Sequence, residues 1–211
     1  GDPMTAAQLE LFASTTAGCP GERSVANTAG LLAWPAARSD WARPGLMLYG
    51  LAPFSDATGA DFGLRPVMSF ESEVIAVRTV LPGESVGYCA TWRAKRASRI
   101  AVVAARYGDG YPRATATGAP VLGQGRRAPL VGRVSMDMLT VDVTDLPSVQ
   151  PGDPVMLWGD GLPAEEVAHH ARRSSTKARR SASRLSAPRA RRIEAGWTVA
   201  SAAGARLVFD S

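Results

Sequence analysis

The spacing of apolar residues changes along this chain, and each change predicts a different kind of structure. Near the N-terminus Leu9, Leu11 and Phe12 follow Thr5-Ala-Ala-Gln8. The threonine hydroxyl can cap a first turn and Gln8 can reach back to it, so the pattern predicts a short amphipathic helix. Residues 46–51 form a compact apolar run between Gly45 and Pro53, the pattern of a strand buried on both faces. Residues 53–65 are loop-like, with Ser, Asp, Thr and Gly replacing the apolar run, and predict a domain boundary. Short β-type runs follow at 73–80, 100–104, 128–134 and 139–143. In the last of these Leu139, Val141 and Val143 share one face, and Thr140, Asp142 and Thr144 the other. Pro82-Gly83 and Pro151-Gly152 are turn pairs, and Pro163 with Glu165 and Glu166 opens a helix. The expected fold is mostly β: a domain over residues 53–170, preceded by a helix-and-strand remnant over 1–52.

Composition adds a third region. Of 211 residues, 45% are apolar and 20% charged, which suits a globular protein with a core. The net charge of +5 misleads, because residues 171–192 carry eight arginines, Lys177 and no acid. Taking those nine positive charges from +5 leaves the rest of the chain at −4. Read as protein, 171–211 is a basic, disordered tail. A nucleic-acid or membrane-surface patch is the functional alternative, but the basic segment has no interleaved aromatic residue to stack on bases. A frameshift near residues 168–172 in a GC-rich gene would give the same Arg/Ser/Ala bias and is the preferred expectation. No apolar run is long enough for a transmembrane helix, and Gly-Asp-Pro-Met at the start does not resemble a signal peptide. Two cysteines, Cys19 and Cys89, are too few for a disulfide framework and point to a reducing cytoplasm. His169 and His170 are adjacent, so they cannot share a helix face, and no metal site is expected.

The candidate chemistry centres on residues 100–113. An apolar run ends in Tyr107-Gly108-Asp109-Gly110, a turn that leaves a phenol at a strand's mouth. Alone, that tyrosine would be read as capping a core. Its company changes the picture: Arg43-Pro-Gly-Leu-Met-Leu-Tyr-Gly50, Val86-Gly-Tyr-Cys-Ala-Thr-Trp-Arg93, Val131-Gly-Arg-Val-Ser-Met-Asp-Met138 and Val141-Asp-Val-Thr-Asp145. From about Asp2 to about Ala168 these motifs, in this order, resemble the C-terminal half of alanine racemase.

That resemblance implies the last βα elements of a TIM-like barrel followed by the C-terminal β-domain of a fold-type III pyridoxal 5′-phosphate enzyme. It implies interconversion of L- and D-alanine for peptidoglycan, in a homodimer that places one subunit's β-domain over the other's barrel. Racemisation needs two acid/base groups on opposite faces of a planar carbanion. The resemblance makes Tyr107 the base for the L-enantiomer, in preference to nearby Tyr111, and a lysine the base for the other. It sets Arg43 against the cofactor's pyridine nitrogen, with Gly45 and Leu46 supplying phosphate-contacting amides. Thr28 stands where the family usually has a serine. Met136 and Asp137 match the substrate site. The only lysines are Lys95 and Lys177, and neither lies in the family's cofactor-lysine motif. The expectation is therefore a fragment, inactive by itself. The competing readings are a non-catalytic β-domain or pseudogene product, and a basic-tailed nucleic-acid binder.

Overall fold

The computed structural model describes residues 2–146 and 148–172, and the strand backbones at 191–193, 196–200 and 206–209. The chain divides into two units, Gly1–Arg65 and Pro66–Ser211, so the loop-like residues 53–65 group with the first unit.

In the first unit, Pro3 opens helix α1 (Pro3–Thr15), where a proline gives up no intrahelical bond. The cap is Asp2, whose carboxylate accepts the Met4 N–H at 3.0 Å, so the predicted capping residue Thr5 lies inside the helix. Strands β1 (Ser24–Asn27) and β2 (Trp41–Arg43) run parallel, and helix α2 (Thr28–Ala33) lies between them in sequence. Asn27 Oδ1 caps α2 by accepting the Gly30 N–H at 3.0 Å. This is a βα crossover, as the barrel remnant requires. The strand predicted at 46–51 is instead a 3₁₀ turn, Leu46–Tyr49, ended by Gly50 with a φ of 73°. The amides of Leu46 and Met47 are taken by the Thr28 hydroxyl rather than by a ladder, and Leu48 and Tyr49 are exposed. Apolar content alone does not reveal where backbone donors go.

The second unit is organised on one long strand, β3 (Met68–Val80). After it come a small hairpin of β4 (Ser85–Val86) and β5 (Trp92–Arg93), then β6 (Ser98–Val103), β7 (Pro120–Gly123) and β8 (Arg126–Pro129). Strands β9 (Leu139–Asp142) and β10 (Pro154–Trp158) precede helix α3 (Ala164–Arg172). The later part of β3 pairs with β6 from Val74↔Val103 to Val80↔Ser98, and its first part pairs with β10. Strand β6 continues to β9, and β10 continues to β7 and β8. An antiparallel bridge between Leu130 and Val141 joins the chain after β8 to β9. The strands thus curl into a closed circuit, which leaves few unpaired edges. The alternation predicted at 139–143 holds, with Leu139, Val141 and Val143 all buried.

Inside the circuit lie Phe70, Leu130, Leu139, Leu157 and Leu162, each at most 1% exposed. Burying such side chains contributes about 1.5–3 kcal/mol apiece. Phe70 packs on Trp158 with ring centroids 4.5 Å apart, and Tyr111 stacks on Trp158 at 6.0 Å. The strand predicted at 128–134 is shorter than expected: it ends at Pro129, Leu130 turns to bridge Val141, and Gly132 takes a left-handed φ of 75°.

The tail expected to be disordered lies partly outside the described residues, at 173–190. Its described parts are three strands: β11 (Arg191–Ile193), β12 (Gly196–Ala200) and β13 (Arg206–Phe209). Strand β13 pairs with the start of β3, from Arg206↔Glu71 to Phe209↔Met68. The arginine-rich stretch hid a β-type run behind it, in which Trp197, Val199, Leu207 and Phe209 are apolar.

Candidate active site

The predicted site residues fall into two groups, one in each unit. In the first unit β2 ends at Arg43, and the chain then turns through Pro44 and Gly45 past the start of α2. Thr28, 4% exposed, accepts the Leu46 N–H at 3.0 Å and the Met47 N–H at 3.4 Å with its hydroxyl oxygen. Arg43 Nη1 donates to the Ser24 carbonyl at 2.7 Å and the Ser24 hydroxyl at 2.8 Å, and Nη2 to the Val25 carbonyl at 3.1 Å. Thr28, Leu46 and Met47 are therefore brought together, while Arg43 is anchored on β1. At Gly45 an added Cβ would meet nothing within 4 Å, so the backbone faces open space there. A hydroxyl, an anchored guanidinium with further N–H groups and an open backbone suit an anionic ligand with a ring acceptor. The donor set thus fits a phosphate-bearing pyridine.

In the second unit, Tyr107 follows the end of β6 in a 3₁₀ turn, Tyr107–Asp109, closed by Gly110. It is half-buried against the main core, and the Arg113 guanidinium carbon sits 5.3 Å over its ring. Tyr107 and Met136 share the lining of an open hollow of about 700 Å³ with Tyr88, Arg113 and Arg133. Tyr111, four residues on, is 1% exposed in the aromatic core, and burial pushes its phenol above the ordinary tyrosine range. It cannot reach a substrate.

Met136 and Asp137 lie on a turn held from within. Ser135 Oγ donates to the Met138 carbonyl at 2.6 Å and accepts the Met138 N–H at 3.0 Å. The Asp137 carboxylate accepts from Arg106 Nη1 at 3.1 Å. Asp137 is therefore already engaged, whereas Met136 is 59% exposed at the hollow.

Sequence reading passed over Tyr88, although it lies in one of the motifs quoted above. It sits at the tip of the β4–β5 hairpin, 64% exposed. Its turn contains two non-glycine residues in the left-handed region, Cys89 (φ 62°) and Ala90 (φ 48°). Such strain persists only where the surroundings over-determine it. Here a Cβ added to Gly132 would lie 2.9 Å from the Val86 carbonyl oxygen, so only glycine admits the contact. The hairpin is thereby clamped to the segment that leads to Met136. A Gly-Tyr pair between short β-type runs was the available signal.

The first 53 residues match the profile of the alanine racemase N-terminal domain, and residues 67–192 match that of the alanine racemase C-terminal domain. The chain belongs to the alanine racemase family. It is 54% identical to the alanine racemase of Vibrio vulnificus (strain CMCP6) over 167 residues, covering 79% of this chain and 47% of the relative. It is 53% identical over 165 residues to the biosynthetic alanine racemase of Escherichia coli O6:H1, covering 78% and 46%. The crystal structure of biosynthetic alanine racemase from Pseudomonas aeruginosa superposes with a TM-score of 0.77 at 49% identity, covering 84% of this chain and 51% of that one. The alanine racemase of Bartonella henselae, with covalently bound pyridoxal phosphate, superposes with a TM-score of 0.70 at 32% identity, covering 81% and 49%. The chain thus spans about half the length of the racemases it matches.

Proposed function

We propose that this chain is the C-terminal portion of a pyridoxal 5′-phosphate-dependent racemase that interconverts L- and D-alanine. When bound, pyridoxal 5′-phosphate supplies the electron sink that makes an amino acid's Cα proton removable. The Thr28 hydroxyl hydrogen and the open backbone at Gly45 would face its phosphate, the Leu46 N–H being held by Thr28 until a ligand displaces it, and Arg43 would meet its ring nitrogen. A guanidinium only donates hydrogen bonds, so Arg43 would leave that nitrogen unprotonated. The Met136 main chain would orient the substrate carboxylate, and Asp137 would hold the Met136 turn.

The observation that carries this reading is the shared hollow: two tyrosines, two arginines and Met136 line one open surface. It also supports a choice between the tyrosines. Tyr107 matches a motif but is half-buried, with one face under Arg113. Tyr88 stands free on a strained, clamped turn, so its phenol is the better placed to move a proton at the L-face. Tyr107 with Arg113 then forms the wall. Exposed Tyr88, Met136 and Met138 support a covering partner surface, and with it a homodimer. Cytoplasmic supply of D-alanine to the cell wall follows from the same reading.

The test is made in the full-length enzyme. Tyr88→Phe keeps the ring and removes the proton-carrying oxygen, and should lower racemisation about 10²–10⁴-fold. Solvent exchange of the L-alanine Cα proton should be lost, and exchange of the D-alanine proton less affected. Tyr107→Phe should cost far less. The reverse ranking would return the base to Tyr107. Little effect from either substitution would remove both.

A further inference from the structure

The hollow's two loops are joined by one side chain. Strand β6 is followed by buried Ala104 and Ala105, and Arg106 then leaves the core at the hollow's edge. Its backbone N–H donates to Asp109 Oδ2 at 3.2 Å and its Nε to Asp109 Oδ1 at 3.2 Å. From the far side of the guanidinium, Nη1 donates to Asp137 Oδ1 at 3.1 Å. The three side chains differ in burial: Asp109 is 3% exposed, Arg106 30% and Asp137 63%. The Asp109–Arg106 pair is thus a fixed base, and Asp137 is the attached end. A desolvated carboxylate gripped by both backbone and guanidinium gives the arginine little freedom to leave.

The attached end matters because of what sits beside it. Within the Ser135–Met138 turn, Ser135 Oγ accepts from the amides of Asp137 and Met138. The Met136 N–H has no partner among the described residues. An unpaired donor on an exposed residue at the hollow is suited to a carboxylate, but only if the turn is held still. Its internal bonds fix the turn's shape. Nothing in them fixes its distance from the Tyr107 turn, and Arg106 does that.

We propose that Arg106 is a positioning residue, an ionic tether from the Tyr107 turn to Asp137 that sets where the Met136 amide meets the substrate carboxylate. This rests on the racemase reading for the identity of the ligand. The tether itself is a property of this chain and can be tested without the cofactor.

Backbone amide exchange of residues 137 and 138, corrected for intrinsic rates, is measured in the 211-residue chain and in its Arg106→Gln, Asp137→Ala and doubly substituted forms. Amides of β6 serve as the folding control. Because the outer bond is partly exposed, each single substitution should speed exchange at 137 and 138 roughly two- to fivefold. The double form should be no faster than the faster single one, since both cut the same link. Arg106→Lys should restore part of the protection. Arg106→Gln leaves Asp109 buried without its cation and can loosen β6. Asp137→Ala keeps the inner pair and isolates the outer bond. Unchanged exchange in Asp137→Ala, or fully additive effects, would overturn the tether. In the full-length enzyme the same substitutions should raise KM for alanine by a similar factor, with a smaller change in kcat. An unchanged KM beside a loosened turn would overturn the positioning role. If the unsubstituted enzyme fails to racemise alanine, the functional reading falls, and the exchange result still decides the tether.

Discussion

Three of the chain's four tyrosines lie in or beside the candidate site, and their surroundings differ. Tyr88 is exposed on a strained turn, Tyr107 is a half-buried wall under Arg113, and Tyr111 is core. The remaining tyrosine, Tyr49, is 40% exposed. Burial raises the Tyr111 pKa, because the ionised phenolate would lose its hydration. The unfolded chain ionises this group near pH 10, whereas the folded chain holds it neutral. The unfolded state therefore binds fewer protons above that pH, and Tyr111 costs stability there. Its contribution is fully present below about pH 10 and is lost as the pH rises further. In a spectrophotometric titration the ionisation of Tyr111 should appear only together with unfolding. Reversible ionisation of Tyr111, identified by its loss in Tyr111→Phe, in a chain still folded by circular dichroism would contradict its burial.

At the scale of elements, the hairpin that carries Tyr88 depends on one backbone contact. Gly132 holds a φ of 75°, and its would-be Cβ lies 2.9 Å from the Val86 carbonyl oxygen. Gly132→Ala meets both obstacles and should destabilise the second unit by about 1–3 kcal/mol. A shifted midpoint in urea unfolding would record this, and a wild-type midpoint would mean that the clamp is slack. The same glycine shows what the sequence made legible. Alternation at 139–143 located β9, because a half-buried strand writes its period into the residues. The run at 128–134 had the right composition, but its strand stops after Pro129 ahead of a left-handed glycine. β7 and β10 were missed because each is only four or five residues long and begins with proline. The 46–51 run failed for another reason: its amides go to a side chain 18 residues earlier. Among the candidate-site residues, Thr28, Arg43 and Met136 were named by motif. Arg106 and Tyr88 were not, because their significance lies in partners distant in sequence.

For the whole molecule, charge and chemistry are unevenly divided. Outside 171–192 the net charge is −4, and the acidic groups of the candidate site are tied to Arg106. The candidate site donors of the first unit include no lysine. Lys95 lies in the second unit, exposed on the segment after β5, and Lys177 is outside the described residues. A covalent attachment to the cofactor needs a lysine amine made reactive by its surroundings. The chain as given should therefore hold pyridoxal 5′-phosphate only loosely and racemise nothing by itself. The check is incubation with the cofactor, reduction with borohydride and peptide mapping, with a full-length relative carried through in parallel. The relative should yield one lysine labelled stoichiometrically. This chain should show only sparse labelling spread over exposed amines, Lys95 among them, and gel filtration before reduction should strip the cofactor away. Stoichiometric labelling at Lys95, accompanied by racemisation, would show that this half of the length carries its own anchor. It would also move the centre of the site from the Arg43–Leu46 turn to the basic segment beyond β5.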